Sequence, residues 1–236
     1  MDAAKNPKPL TVVALDLSSK TGWAAFRDGQ RVDSGTLFPT FTVADFGEYP
    51  ASFVKFAEAY VTRIYNEVLS KHWPDVVVVE ESNPGKQVYS QKLLEFLHYT
   101  LADRLLVSQV WGPKWELKYV RTGVWRSVVG AKQNDAERKL NARISREKQK
   151  RAKAIASDTS LTDEEKKKIL RLPIKVDGKV VGKKTRKHVA FRVANEIFGL
   201  NLKKRQEDEA EAALIGWAFL HGAEVCDGTT SGGKRG

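Results

Sequence analysis

From Thr11 to Leu17 the chain is apolar almost without interruption, and Gly22 to Arg27 repeats the pattern at the length of a second strand. Asp28-Gly29 separates Arg27 from Gln30, a two-residue sequence that accepts the positive φ angles of a tight hairpin. A third strand is expected from Arg31 to Phe38, so the chain opens as an antiparallel meander. The period then changes. Phe53, Phe56, Ala57, Tyr60, Val61, Ile64 and Val68 recur at steps of three and four, which predicts a helix starting near Pro50 and stopping at Trp73-Pro74.

Asp75 to Glu80 reads as a strand, and its four consecutive valines suit an interior position in a sheet covered on both faces. Glu80 closes that strand at the carboxyl end, where open α/β sheets bind ligands. After a loop at Ser82 to Lys86, the leucines at 93, 94, 97, 101 and 105 mark a second amphipathic helix. A short strand at Leu117 to Val120 and a segment at Val124 to Val129 follow. From 131 to 183 the apolar content drops: Asp135 to Ala156 is polar nearly all round, Thr162 caps a short helix, and Val176 to Val181 forms a small hairpin. Globular patterning resumes at Lys184, with a helix from about Thr185 to Phe198 closed by Gly199 and a last one from about Glu207 to His221. The expected fold class is α/β, a mixed five-stranded sheet flanked by helices. Residues 1–130 and 184–222 form the core domain, 131–183 a basic helical insertion before the last two helices, and 223–236 a flexible, Gly-rich tail.

Length and composition fit this layout, since 236 residues with 42% hydrophobic content can bury one substantial core and carry an accessory segment. The single cysteine, Cys226, leaves no intrachain disulfide and no thiolate metal cluster, as expected of a reducing, cytoplasmic setting. No apolar leader stands at Met1 to Pro9 and no run has the length of a membrane span, so we expect a soluble, unexported protein. Charge is segregated. Residues 131 to 190 hold 19 Lys+Arg against 8 Asp+Glu, while the 21 basic and 21 acidic residues elsewhere cancel. The whole excess of +11 thus lies in one quarter of the chain, an electrostatic footprint for a polyanion such as nucleic acid. A charge run of this kind also occurs as a solvated helical face.

Asp16 and Glu80 each sit in or at the end of an apolar strand, where an ionised carboxylate is costly unless a cation awaits it. Asp208 and Glu211 lie three apart on the last helix and share a face. An acidic first turn is by itself ordinary helix capping; beside the two strand carboxylates it completes a four-carboxylate set. Oxygen-only ligands suit Mg2+ or Mn2+ and argue against Zn2+. Two such ions about 3.5–4 Å apart would activate a water and stabilise the leaving oxygen of a phosphodiester. Glu81 competes with Glu80, because neighbouring strand residues face opposite ways and an all-valine strand gives no parity.

The segments VVALDLSSKTGWAAF, VVVVEESNPGKQ, GVWRSVVGAK, TRKHVAFRVANEIFGL and EDEAEAALIGWAFL resemble, in that order, the RuvC-type Holliday junction resolvases of the RNase H-like superfamily, particularly phage-type members. The similarity covers residues 11–130 and 184–222. It implies an RNase H-like fold, catalytic and metal-holding roles for Asp16, Glu80, Asp208 and Glu211, and Mg2+-dependent cleavage of four-way or otherwise branched DNA by a homodimer. Pairing through the helix from Tyr89 to Leu106 is part of what the resemblance implies. Two features depart from the family: Glu211 stands where aspartate is common, and the basic segment 131–183 has no counterpart in the short bacterial resolvases.

Lys184, Arg186 and Lys187, with Lys20 and Lys132, are the expected DNA contacts, although lysines of this kind are equally at home in solvent. His188 is a candidate for proton transfer, against the more frequent structural role of a lone histidine. Ser18 and Ser19 stand where a scissile phosphate would approach, and turn formation accounts for them equally. Phe96, Tyr99 and Trp111 are candidates for base stacking, with core packing as the commoner fate. Three other functions share some of these signals. An actin-like or sugar-kinase-type ATPase would need a second phosphate loop and an adenosine motif, and neither is found. A non-catalytic DNA-binding protein would not need four carboxylates. A nuclease acting on flaps or RNA/DNA hybrids is compatible with the same motifs.

Overall fold

The computed structural model describes residues 9–82, 87–111, 115–203 and 206–226. The chain divides into two compact units, Met1–Ala131 with Ala190–Gly236, and Lys132–Val189. The sequence places the return to the core domain at Lys184; the second unit instead extends to Val189. Its closure is local: the Lys184 N–H donates to Asn141 Oδ1 at 2.7 Å, and the Lys184 carbonyl accepts from Asn141 Nδ2 and Gln133 Nε2.

The first unit is built on β1 (Thr11–Asp16), β2 (Thr21–Arg27), β3 (Gln30–Leu37), β4 (Val76–Glu80) and β5 (Glu116–Val120), in the order β3-β2-β1-β4-β5. β1 pairs antiparallel with β2 and parallel with β4, and β4 pairs parallel with β5. A three-stranded meander extended by two parallel strands is the sheet of the RNase H-like fold, as expected from the sequence. Asp28 and Gly29 turn the β2–β3 hairpin with φ of 49° and 76°.

Strand periodicity sorts the side chains of this sheet onto two faces. Val13, Leu15, Val77 and Val79 pack with α1 (Ala51–Ile64) and α3 (Val88–Trp111) in one core. The helix expected from Pro50 to Trp73 is interrupted by a π-helical turn, Tyr65–Leu69, before α2 (Ser70–His72). The Ser70 hydroxyl donates to the Tyr65 carbonyl five residues back at 2.7 Å, which favours that wider turn. On the opposite face lie Val12, Ala14 and Asp16 with their cross-strand partners Phe26, Ala24 and Gly22. α8 (Glu207–Leu220) packs there, and a β-carbon on Gly216 would meet the Phe26 ring at 2.4 Å and Ala14 at 2.9 Å. α4 (Thr122–Val128) packs on α8. The expected tail begins against the sheet: Val225 bridges Val120, and the Cys226 N–H donates to the Tyr119 carbonyl at 2.8 Å. The remainder of that tail, 227–236, and the loop residues 83–86 lie outside the described residues.

The second unit contains α5 (Asp135–Ser157), α6 (Asp163–Arg171), the hairpin β6 (Ile174–Val176) and β7 (Lys179–Val181), and the first residues of α7 (Arg186–Phe198). α5 opens with a capping box in which Asn134 and Glu137 satisfy each other's backbone N–H, and Thr162 with Glu165 does the same for α6. Ile144, Ile174 and Val176, flanked by Leu140 and Val181, form a small core. Among the described residues no helix is long and apolar enough to cross a membrane.

A candidate metal centre at the carboxyl ends of β1 and β4

Asp16 is the last residue of β1, on the face that α8 covers. Its cross-strand partner is Gly22, and a β-carbon there would lie 1.9 Å from the backbone oxygen of Asp208. Only glycine lets the first turn of α8 settle directly on β2, beside Asp16. Asp208 and Glu211, three residues apart, are 6% and 4% exposed, so both carboxylates are taken out of water on one side of the helix. The outcome is a cluster in which one carboxylate oxygen from each of Asp16, Asp208 and Glu211 lies within 4.8 Å of the others.

Glu80 adjoins this cluster without belonging to it at that distance. Val76 and Val78 pair with Val12 and Ala14, so the next residue of the same parity, Glu80, faces the α8 side with Asp16. Its carboxylate accepts a short hydrogen bond from the Thr122 hydroxyl. Burial holds the Glu80 carboxyl above the usual carboxylate range; the Thr122 bond opposes this, the charge of Glu211 adds to it, and Arg126 opposes it again. The indole Nε1 of fully buried Trp125 acts in the same sense as Arg126 without closing a hydrogen bond. Glu81 points elsewhere, its Oε2 accepting from the Cys226 thiol at 3.3 Å. Parity, which the valine run concealed, therefore puts Glu80 on the side of the acidic residues.

Lys20 and Arg126 both answer the buried negative charge. Lys20 Nζ lies 2.5 Å from Asp208 Oδ2 and 5.2 Å from the centroid of the Phe38 ring. It is held by a tight turn in which the Ser18 hydroxyl accepts from the Lys20 N–H and donates to the Lys20 carbonyl. Behind this turn the Tyr60 hydroxyl accepts from the Thr21 N–H and donates to the Leu37 carbonyl. Arg126, on α4, donates to Glu211 Oε1 in a short charged contact, and its guanidinium carbon lies 4.3 Å from the Trp125 ring centroid. Sequence reasoning grouped Lys20 with the DNA contacts and passed over Thr122, Trp125 and Arg126. A signal was available in Val124-Trp125-Arg126-Ser127-Val128, where one arginine interrupts an apolar helical run.

Lys132, Lys184, Arg186 and Lys187 belong to the second unit. So does His188, whose Nε2 is 3.9 Å from Glu137 Oε1 there. Phe96 packs against the core edge-on to Phe53, whereas Tyr99 is exposed. The side chain of Trp111 lies outside the described residues.

No family model and no curated protein matches the chain. Among solved structures, RuvC of Thermus thermophilus in complex with a Holliday junction substrate is similar at 12% identity, over 89% of this chain and 92% of that one, with a TM-score of 0.49. Thermus thermophilus RuvC in a second structure is similar at 12% identity over 92% and 100%, with a TM-score of 0.46. The yeast mitochondrial Holliday junction resolvase Ydc2 is similar at 13% identity over 92% and 80%, with a TM-score of 0.47.

The donor set fits a hard divalent cation. Every candidate ligand is a carboxylate oxygen, and two of the three clustered residues are buried.

Proposed function

We propose that the protein is a divalent-metal-dependent, structure-selective endodeoxyribonuclease that cuts Holliday junctions and related branched DNA in the cytoplasm, as a homodimer. The observation that carries this reading is the convergence of Asp16, Asp208 and Glu211 oxygens within 4.8 Å on an RNase H-like sheet. A buried carboxylate cluster at the carboxyl ends of parallel strands supports cation binding over capping, since capping needs neither Asp16 nor burial. The segments that resemble RuvC-type resolvases support branched DNA as substrate, and the basic second unit supports a polyanion.

Asp16, Asp208 and Glu211, with Glu80 beside them, would hold Mg2+, or Mn2+ in its place. A bound ion supplies activation of a water nucleophile and charge stabilisation at the scissile phosphate. Lys20 and Arg126 maintain charge balance at the acidic residues and keep Asp208 and Glu211 oriented before DNA arrives. Lys132, Lys184, Arg186 and Lys187 would contact phosphates without reading sequence.

The decisive test is cleavage of synthetic four-way junctions, flaps, linear duplex and RNA/DNA hybrid, with and without Mg2+. Junction cutting that needs the metal and is lost in Asp16→Asn supports the reading. Equal cutting by wild type and Asp16→Asn would exclude the site, and preference for hybrid over junction would change the substrate.

A further inference from the structure

An exposed aromatic side chain stands beside the acidic cluster. Asp16 pairs with Gly22, Gly22 pairs with Thr36, and Thr21 pairs with Leu37. Phe38, the next residue, therefore lies just past the end of β3 at the same edge of the sheet as Asp16, two strands or roughly 10 Å across from it. It is 55% exposed. A phenyl group so far in water forgoes the burial that places most phenylalanines in a core.

Single apolar side chains on a surface are common, but Phe38 is set apart by how firmly its backbone is held. The Leu37 carbonyl accepts from the buried Tyr60 hydroxyl at 2.6 Å, and the Phe38 carbonyl accepts from Arg63 Nη1 at 2.8 Å. Pro39 follows, which restricts Phe38 to extended backbone. The ring centroid is 5.2 Å from Lys20 Nζ, the same ammonium that pairs with Asp208. A fixed, exposed ring with a cation beside it matches a nucleotide, whose base stacks on the ring while its phosphate meets positive charge. In a continuous duplex each base is already stacked and paired, so only a base freed at a branch point or in a single strand can take this place.

Resting on the nuclease reading above, we propose that Phe38 is a stacking platform for an unpaired DNA base at a branch point, and that it thereby favours branched over continuous duplex DNA. Lys20 keeps its place beside the ring and Asp208 throughout, and the base uses the ring surface that Lys20 leaves uncovered.

Four-way junctions carrying a single 5-iododeoxyuridine at each branch-point position in turn test this, with the full-length protein in EDTA so that metal-dependent cutting cannot occur. Near-ultraviolet light couples that base to an aromatic ring stacked on it, and peptide mass spectrometry locates the bond; the expected attachment is at Phe38. Phe38→Leu should lose the crosslink and bind junctions and flaps about fivefold to a hundredfold more weakly, the scale of one base–aromatic stack, with linear duplex binding changed less than about twofold. Phe38→Tyr should retain the crosslink and the junction affinity. Mn2+ affinity should stay at the wild-type value in both variants. A ring that served only to hold Lys20 against Asp208 would shift Mn2+ affinity and weaken junction and duplex binding alike, which would overturn the proposal. Junction binding by folded Phe38→Leu equal to wild type would also overturn it; if circular dichroism shows that variant unfolded, the site of crosslinking in the wild-type protein decides. The nuclease reading fails separately. A protein that crosslinks through Phe38 yet cuts no DNA with Mg2+ would overturn that reading and leave a site for unpaired bases, whereas one that cuts junctions with Mg2+ but crosslinks elsewhere would keep it and lose the stacking platform.

Discussion

Gly22 and Asp16 face each other across the β1–β2 pair, and the first turn of α8 rests where a side chain on residue 22 would have to go. Gly22→Ala places a methyl group against backbone, not against a movable side chain, so α8 itself must shift. We expect a loss of about 3 kcal/mol or more in urea unfolding, above the usual range for overpacking, together with weakened Mn2+ binding. Stability within about 1 kcal/mol of wild type would show that α8 does not lie this close. A second residue-scale prediction separates the adjacent glutamates. Glu80→Gln should slow single-turnover junction cleavage by about tenfold to a hundredfold, whereas Glu81→Gln, on the Cys226 side, should change it less than about twofold. The reverse ranking would transfer the role to Glu81. Asp16 was legible because a carboxylate inside an apolar strand has no structural excuse. The choice between Glu80 and Glu81 was not, since four valines look alike from both faces and only pairing with β1 fixes which way each points.

At the level of elements, the two amphipathic helices followed from hydrophobic period, the meander from apolar runs about the Asp28-Gly29 turn, and the valine strand from its β-branched composition. What the period could not supply was the depth of α8. An acidic first turn on an apolar helix reads as a surface cap, yet Asp208, Glu209 and Glu211 are all buried. Glu209 has its own partners, accepting from the Ser34 hydroxyl at 2.7 Å and from Gln206 Nε2 at 2.9 Å, and so anchors α8 to β3 apart from the acidic cluster. On the other face, α3 carries His98 over the Tyr119 ring of β5, 5.7 Å between centroids. Burial pushes the His98 imidazole down to about 4 from 6.5. The folded chain then refuses a proton that the unfolded chain accepts. Stability contributed by neutral His98 is therefore intact above pH 6.5 and declines as pH falls toward 4, by at most about 3 kcal/mol. Urea midpoints at pH 7, 5.5 and 4.5 should show this decline, and His98→Asn should flatten it. Parallel pH profiles for the two proteins would remove His98 from the explanation.

For the molecule as a whole, the charge segregation seen in the sequence coincides with a structural division, although low apolar content hid the ability of Lys132–Val189 to form a core of its own around Ile144, Ile174 and Val176. Lys139, Arg146 and Lys153 are exposed and seven residues apart along α5, which puts them on one stripe of the helix. If that stripe follows a DNA backbone, replacing all three by glutamine should reduce the salt slope of junction binding by up to about three, close to one unit for each phosphate the protein no longer neutralises. An unchanged slope in a folded triple variant would place the DNA elsewhere. At the opposite end of the chain, the short return through Val225 and Cys226 also has a role that its glycine-rich neighbourhood disguises. β5 is the outermost strand on its side of the sheet, and these residues occupy backbone groups of Tyr119 and Val120 that would otherwise be open. An open strand edge recruits strands from neighbouring molecules. The segment thus protects solubility: a chain ending before Ala223 would keep its acidic centre and its basic unit, yet present a ready template for edge-to-edge aggregation.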